Sequence, residues 1–163
     1  MENDNEDLIQ INDKIYILTW TVDTPNKDIR FRVKNSMNQT VEVNIWSYYS
    51  DYDNYIEYEA ISLSVNKKSK GYEFGKITGK SGIESLLLAK EILKYYINHF
   101  ILSRNRKNWT YYLAIWWDDN RRRDVYYRGL KDLGFNFFQR GMKNYNSGKC
   151  LVRKFDRIDE FNK

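Results

Sequence analysis

Residues 119–135 read DNRRRDVYYRGLKDLGF, and their spacing predicts a short amphipathic helix with a marked start and stop. Asp118-Asp119-Asn120 suits a turn and an N-cap, because a short polar side chain accepts the free N–H groups of a first helical turn. Val125, Tyr126, Gly129, Leu130 and Leu133 then fall on one side at helical spacing. Gly134 supplies the position past the helix end, where the left-handed backbone favours glycine. Before this helix, Trp109–Trp117 (WTYYLAIWW) is the most apolar strand candidate of the chain, and its near-continuous hydrophobicity predicts a central sheet position. After it, Phe135–Phe138 and Lys149–Phe155 read as two closing strands around the polar loop Gly141–Gly148.

Upstream, Ser81-Gly82-Ile83-Glu84 reads as a capping box, with Ser81 at the N-cap and Glu84 reaching back to it. Ile83, Leu86, Ala89, Leu93, Tyr96, Ile97 and Phe100 follow at helical spacing, predicting a long helix over 82–102 that the polar run Ser103–Asn108 ends. Further upstream the period changes to two. Lys14–Val22, Ile29–Lys34, Thr40–Tyr48, Tyr55–Val65 and Tyr72–Thr78 read as successive strands, with Asn35–Gln39 as a hairpin turn and Asn66–Lys70 as a solvated one. Residues 1–13 read as a flexible acidic tail ahead of a single domain over 14–163. The element order is β-β-β-β-β-α-β-α-β-β, an α/β fold with a mixed, largely antiparallel sheet of about seven strands and two main helices.

With 163 residues the chain fits one domain with its own core. Aromatic residues reach 17%, much of which a core and a sheet surface absorb. Cys150 is the only cysteine and His99 the only histidine. An intrachain disulfide is therefore excluded, a reducing, cytoplasmic setting is favoured, and a zinc or iron–sulfur site lacks ligands, so no metal is expected. Both residues sit in apolar surroundings and read as structural. The acidic N-terminus carries no apolar signal region, and no run is long and apolar enough to span a membrane, so no membrane association is expected. Residues 1–99 hold 12 Lys and Arg against 15 Asp and Glu, whereas residues 100–163 hold 15 against 7. A basic C-terminal half suits phosphates, whether of a cofactor or of a nucleic acid.

Strand, glycine-containing turn (Gly79-Lys80-Ser81-Gly82), long helix, strand, Asn120, helix, Gly134-Phe135 and hairpin form an ordered series over roughly 71–155. This series resembles the GNAT acyltransferase superfamily, most specifically in DNRRRDVYYRGLKDLGF. The resemblance implies an acyl-CoA-dependent N-acyltransferase that moves an acyl group, acetyl by the family's habit, from acetyl-CoA to an amine acceptor. The family's turn, Gln/Arg-x-x-Gly-x-Gly/Ala, cradles the pyrophosphate. Here it maps onto the window Gly79–Glu84, with Thr78, Gly79, Lys80, Ser81 and Gly82 as backbone binders and Asn120 from the later motif. Glu84 replaces a small residue of that turn, and no helix is read between the first two strands, where the family carries two.

The implied chemistry removes a proton from the attacking amine and returns one to the departing thiolate. Glu73 is the candidate base and Tyr127, then Tyr126, the candidate acid. Counting back from Gly134 leads to Leu130 instead, so the tyrosine's register departs from the family's. The bland alternatives are a solvent-facing strand position for Glu73, packing for the tyrosines and a plain helix start for the turn. Two other functions stay open. One is a catalytically inactive GNAT-like binding or structural protein of viral or mobile-element type, with a protein partner or a second copy on its aromatic surface. The other is a nucleic-acid-binding module using Arg104, Arg106, Lys107, Arg121, Arg122, Arg123 and Arg128. Asp118, Asp119, Asp124 and Asp132 interrupt that basic face.

Overall fold

The computed structural model describes residues 5–23, 28–49, 56–67, 70–73, 80–102, 110–116, 120–137 and 150–155, with some side chains at element ends outside that set. They form a mixed α/β fold. Nine strands make one sheet: β1 (Asn5–Ile11), β2 (Lys14–Asp23), β3 (Asp28–Lys34), β4 (Thr40–Tyr49), β5 (Ile56–Lys67), β6 (Lys70–Glu73), β7 (Thr110–Trp116), β8 (Asn136–Phe137) and β9 (Cys150–Phe155). The helices are α1 (Lys80–Tyr96), which runs into a π-helical turn at Ile97–Ile101, and α2 (Asn120–Leu130), which tightens into a 3-10 turn at Lys131–Leu133.

The strand order is β1-β2-β3-β4-β5-β7-β9-β8, and β6 also pairs with β5. Every pairing is antiparallel except β5 with β7. A parallel pair needs a crossover, and α1 supplies it. Two-residue alternation places Ile29, Phe31 and Val33 of β3, with Val41, Val43 and Ile45 of β4, on one buried face. On α1, Leu88, Ala89, Ile92, Leu93 and Tyr96 belong to the same core. In β7, Tyr112, Leu113, Ala114 and Ile115 are all buried, as expected of a central strand covered on both faces.

Beneath the end of α1 lies an aromatic cluster. Phe31, fully buried, meets Trp20, Tyr95, Tyr96 and Phe100 at ring-centroid distances of 5.8, 6.4, 6.0 and 5.8 Å. These five side chains put part of the high aromatic content into packing. Gly134 ends the 3-10 turn with φ 86°, the left-handed conformation its position predicts, and Phe135 behind it is fully buried.

The N-terminus corrects the expectation of a flexible tail over 1–13. Asn5–Ile11 is a strand paired with β2 from Asn5↔Trp20 to Ile11↔Lys14. Asn12, at φ 53°, starts the tight turn between them. The acidic residues that suggest a tail are accommodated by alternation. Ile9 is buried in the core, and Asp7 accepts a hydrogen bond from the Tyr95 hydroxyl at 2.7 Å, tying β1 to α1. Before Lys80, the described residues contain strands and turns but no helix.

Candidate functional site

Both β6 and β7 lie on the edge of β5 opposite β4. β7 pairs with Ile56–Ile61, ending near Ile61↔Ile115, whereas β6 pairs with Ser64–Lys67, ending at Ser64↔Glu73. The carboxyl ends of β6 and β7 therefore face each other along β5, with Ser62 and Leu63 between them. The chain leaves this junction twice, once from Glu73 toward α1 at Lys80 and once from Trp116 toward α2 at Asn120. In open sheets, ligands gather outside the carboxyl ends of strands where the connections diverge. Helix N-termini add unpaired N–H groups and a positive dipole end.

Of the predicted site residues, the strand register places Glu73 at this junction, and the first turns of α1 and α2 follow it along the chain. The backbone of Glu73 ends β6, Lys80, Ser81 and Gly82 form the start of α1, and Asn120 opens α2. Thr78 and Gly79 lie outside the described residues, as do the side chains of Glu73, Lys80, Ser81 and Asn120. On α2, Tyr126 is buried in the core and Tyr127 is half-buried, its ring stacked on Phe137 at 4.7 Å and 23°. The two helices meet where α2 has no side chain: a Cβ on Gly129 would fall 2.9 Å from Leu86 Cδ2. Lys90 adds an ion pair to Asp132 at 3.2 Å.

Glu84 corrects the capping-box expectation. Its carboxylate turns away from the helix start toward β2 and the β3–β4 turn, accepting the Ser36 N–H at 2.7 Å, the Ser36 hydroxyl and the Tyr16 hydroxyl at 2.8 Å. Lys14 Nζ lies 3.7 Å from the same group. Burial pushes the Glu84 pKa up, but the Ser36 hydrogen bonds, the Tyr16 hydroxyl and the Lys14 charge together hold it below the usual value. At the next residue, Ser85 Oγ accepts from Asn35 Nδ2 at 3.1 Å. Asn35 is buried, and its Oδ1 accepts the N–H groups of Met37 and Gln39, each at 3.0 Å, which closes the turn in the manner of an Asx motif. The start of α1 is thus pinned to the sheet by a polar hub. No local signal marks it, because its members are separated by tens of residues in sequence.

His99 is exposed rather than set in apolar surroundings, whereas Cys150 is buried as expected. His99 stacks on Tyr95 at 4.0 Å, with Nδ1 3.0 Å from the Tyr95 carbonyl. Cys150 is fully buried, and burial pushes its thiol up to about 12, out of nucleophilic range. Among the described residues, no group of three or more His, Cys, Asp or Glu side chains gathers to hold a metal. Nor is any described helix long and apolar enough to cross a membrane. Of the predicted basic surface, Arg128 is exposed beside exposed Asp124, whereas Arg104, Arg106 and Lys107 and the side chains of Arg121, Arg122 and Arg123 lie outside the described residues. No protein-family model matches this sequence, and no curated protein or solved structure is detectably similar to it.

Proposed function

We propose that this chain is an acyl-CoA-binding domain of the GNAT kind that transfers an acyl group to an amine. One observation carries the proposal: the carboxyl ends of β6 and β7 meet on β5, and the chain runs from that meeting point into both helices. Such a junction suits a phosphorylated ligand, whose pyrophosphate would take the backbone N–H groups at the start of α1 with Lys80 beside it. The orientation of Glu84 supports this reading, because its carboxylate is spent on Ser36, Tyr16 and Lys14 and does not oppose bound phosphates. Acetyl-CoA, as substrate, supplies the activated thioester. The chain's own work is to orient it, to accept the amine proton at Glu73 and to donate a proton from Tyr127 to the departing thiolate.

The packing of the tyrosines favours a second reading, in which the domain binds acyl-CoA or a protein partner without turnover. Tyr126 is buried, and Tyr127 already has a packing partner in Phe137. Release of free thiol from acetyl-CoA in the presence of an amine panel separates the two. The enzyme reading expects release that falls at least tenfold in Tyr127→Phe, the size of a lost general acid. Binding without release supports the second reading. Absence of both binding and release overturns the proposal.

A further inference from the structure

We infer that β1 is a self-complementary edge through which two copies of this chain join into one continuous sheet. Among the described residues, β1 pairs with β2 alone. Ile11↔Lys14 closes the tight turn at Asn12-Asp13, and the pair closing such a two-residue hairpin exchanges both of its backbone hydrogen bonds. Alternation then assigns Ile11, Ile9 and Asp7 to β2 and turns the N–H and C=O groups of Gln10, Leu8 and Glu6 outward. An independent contact agrees: the Leu8 N–H donates to Asp7 Oδ1 at 2.8 Å, a local substitute for a strand partner.

The side chains of these outward-bonding residues lie on the sheet face away from the helices. There Leu8, 60% exposed, stands directly opposite Ile17, 56% exposed, with Ile15 at 61% beside them. An exposed edge flanked by apolar side chains is a template for another strand. The sequence of β1 fits its own copy. Antiparallel pairing about a two-fold axis at Leu8 sets Leu8 against Leu8 of the partner subunit and Glu6 against the partner's Gln10. Each of these facing pairs exchanges two backbone hydrogen bonds, and no carboxylate meets another. Slid registers form fewer pairs, and the one centred on Glu6 sets two carboxylates face to face. An axis normal to the sheet keeps the exposed faces together, so Leu8, Ile15 and Ile17 of both copies form one apolar strip. The Leu8 N–H passes from Asp7 to the partner's carbonyl, and Asp7 keeps its bond to Tyr95.

Sedimentation equilibrium of the full chain over roughly 1–100 µM tests this, because self-association follows mass action. The wild type is expected to approach twice the chain mass, and Leu8→Lys, which places two ammonium groups on the axis, to stay monomeric. Gln10→Lys should tighten the dimer and Gln10→Glu should weaken it, each by roughly 2- to 30-fold for the two symmetric cross-strand pairs. These opposite shifts are specific to the Leu8-centred register, and they decide the matter if Leu8→Lys fails to fold by circular dichroism. A wild type that stays monomeric throughout overturns the inference. So does a dimer whose affinity is the same in both Gln10 variants.

Discussion

The sheet from β1 to β4 and the arm from β7 to β9 meet their helices in different ways. In the first region α1 is tied down by polar side chains from distant strands: Asn35 to Ser85, Ser36 and Tyr16 to Glu84, and Asp7 to Tyr95. In the arm, β7 is buried on both faces, α2 approaches α1 closely at Gly129, Gly134 turns the backbone left-handed, and Lys90 of α1 pairs with Asp132 at 3.2 Å. Directional bonds fix the position and rotation of a helix, whereas apolar contact fixes mainly its depth. The difference teaches that the rotation of α1, whose start forms the candidate phosphate site, is set by hydrogen bonds from side chains distant in sequence.

Five outcomes would sharpen or break this contrast. The largest effect is expected from Phe31→Ala, which opens the centre of the aromatic cluster and should cost about 3–5 kcal/mol in denaturant unfolding. Asn35→Leu should follow at about 2–3 kcal/mol, because it strands the Met37 and Gln39 N–H groups. Gly134→Ala forces a Cβ into the left-handed region and should cost about 1–2 kcal/mol. If Gly134→Ala proves more damaging than Asn35→Leu, the contrast between the regions fails.

The smallest effects are titrations. The folded pKa of Glu84 is depressed, so its contribution is present above the usual glutamate value of 4.5 and is lost as pH falls through the lower folded value. Thermal melts should show an acid limb that flattens in Glu84→Gln. Tyr95 behaves oppositely. Burial, then the hydrogen bond to Asp7, raises it from 10.0 to about 12, so the stability it contributes is complete below pH 10 and lost as pH rises toward 12. Tyr95→Phe should remove that alkaline limb, and an unchanged limb would assign it to other groups.

Much of the fold was legible because it is local. The apolar run of β7, the two-residue period of β2 to β4 and the helix stop at Gly134 each follow from neighbouring residues. β1 was not, since Glu6 and Asp7 resemble a solvated tail until Tyr95 and Ile9 give the strand an inner face. Glu84 shows the same limit at the site. Ser81-Gly82-Ile83-Glu84 spells a capping box, but Ser36 and Tyr16 compete for the carboxylate and win through tertiary proximity. Gly82 in the first turn of α1 and Asn120 at the start of α2 fall where the order of elements puts them. The burial of Tyr126 follows from the helical spacing that sets it with Leu130, whereas the exposure of Val125 and the stacking of Tyr127 on Phe137 depend on tertiary contacts.

Titration calorimetry of acetyl-CoA into the wild type and into Gly82→Asp is the most direct test of the proposed site. An aspartate in the first turn favours the helix but repels phosphates, so it separates loss of binding from loss of fold. The account predicts one site per chain in the wild type, competition by adenosine 3′,5′-bisphosphate, and binding abolished in a Gly82→Asp variant that melts no lower. Absence of heat in the folded wild type at two temperatures, or equal affinity in Gly82→Asp, would contradict an acyl-CoA site at the start of α1.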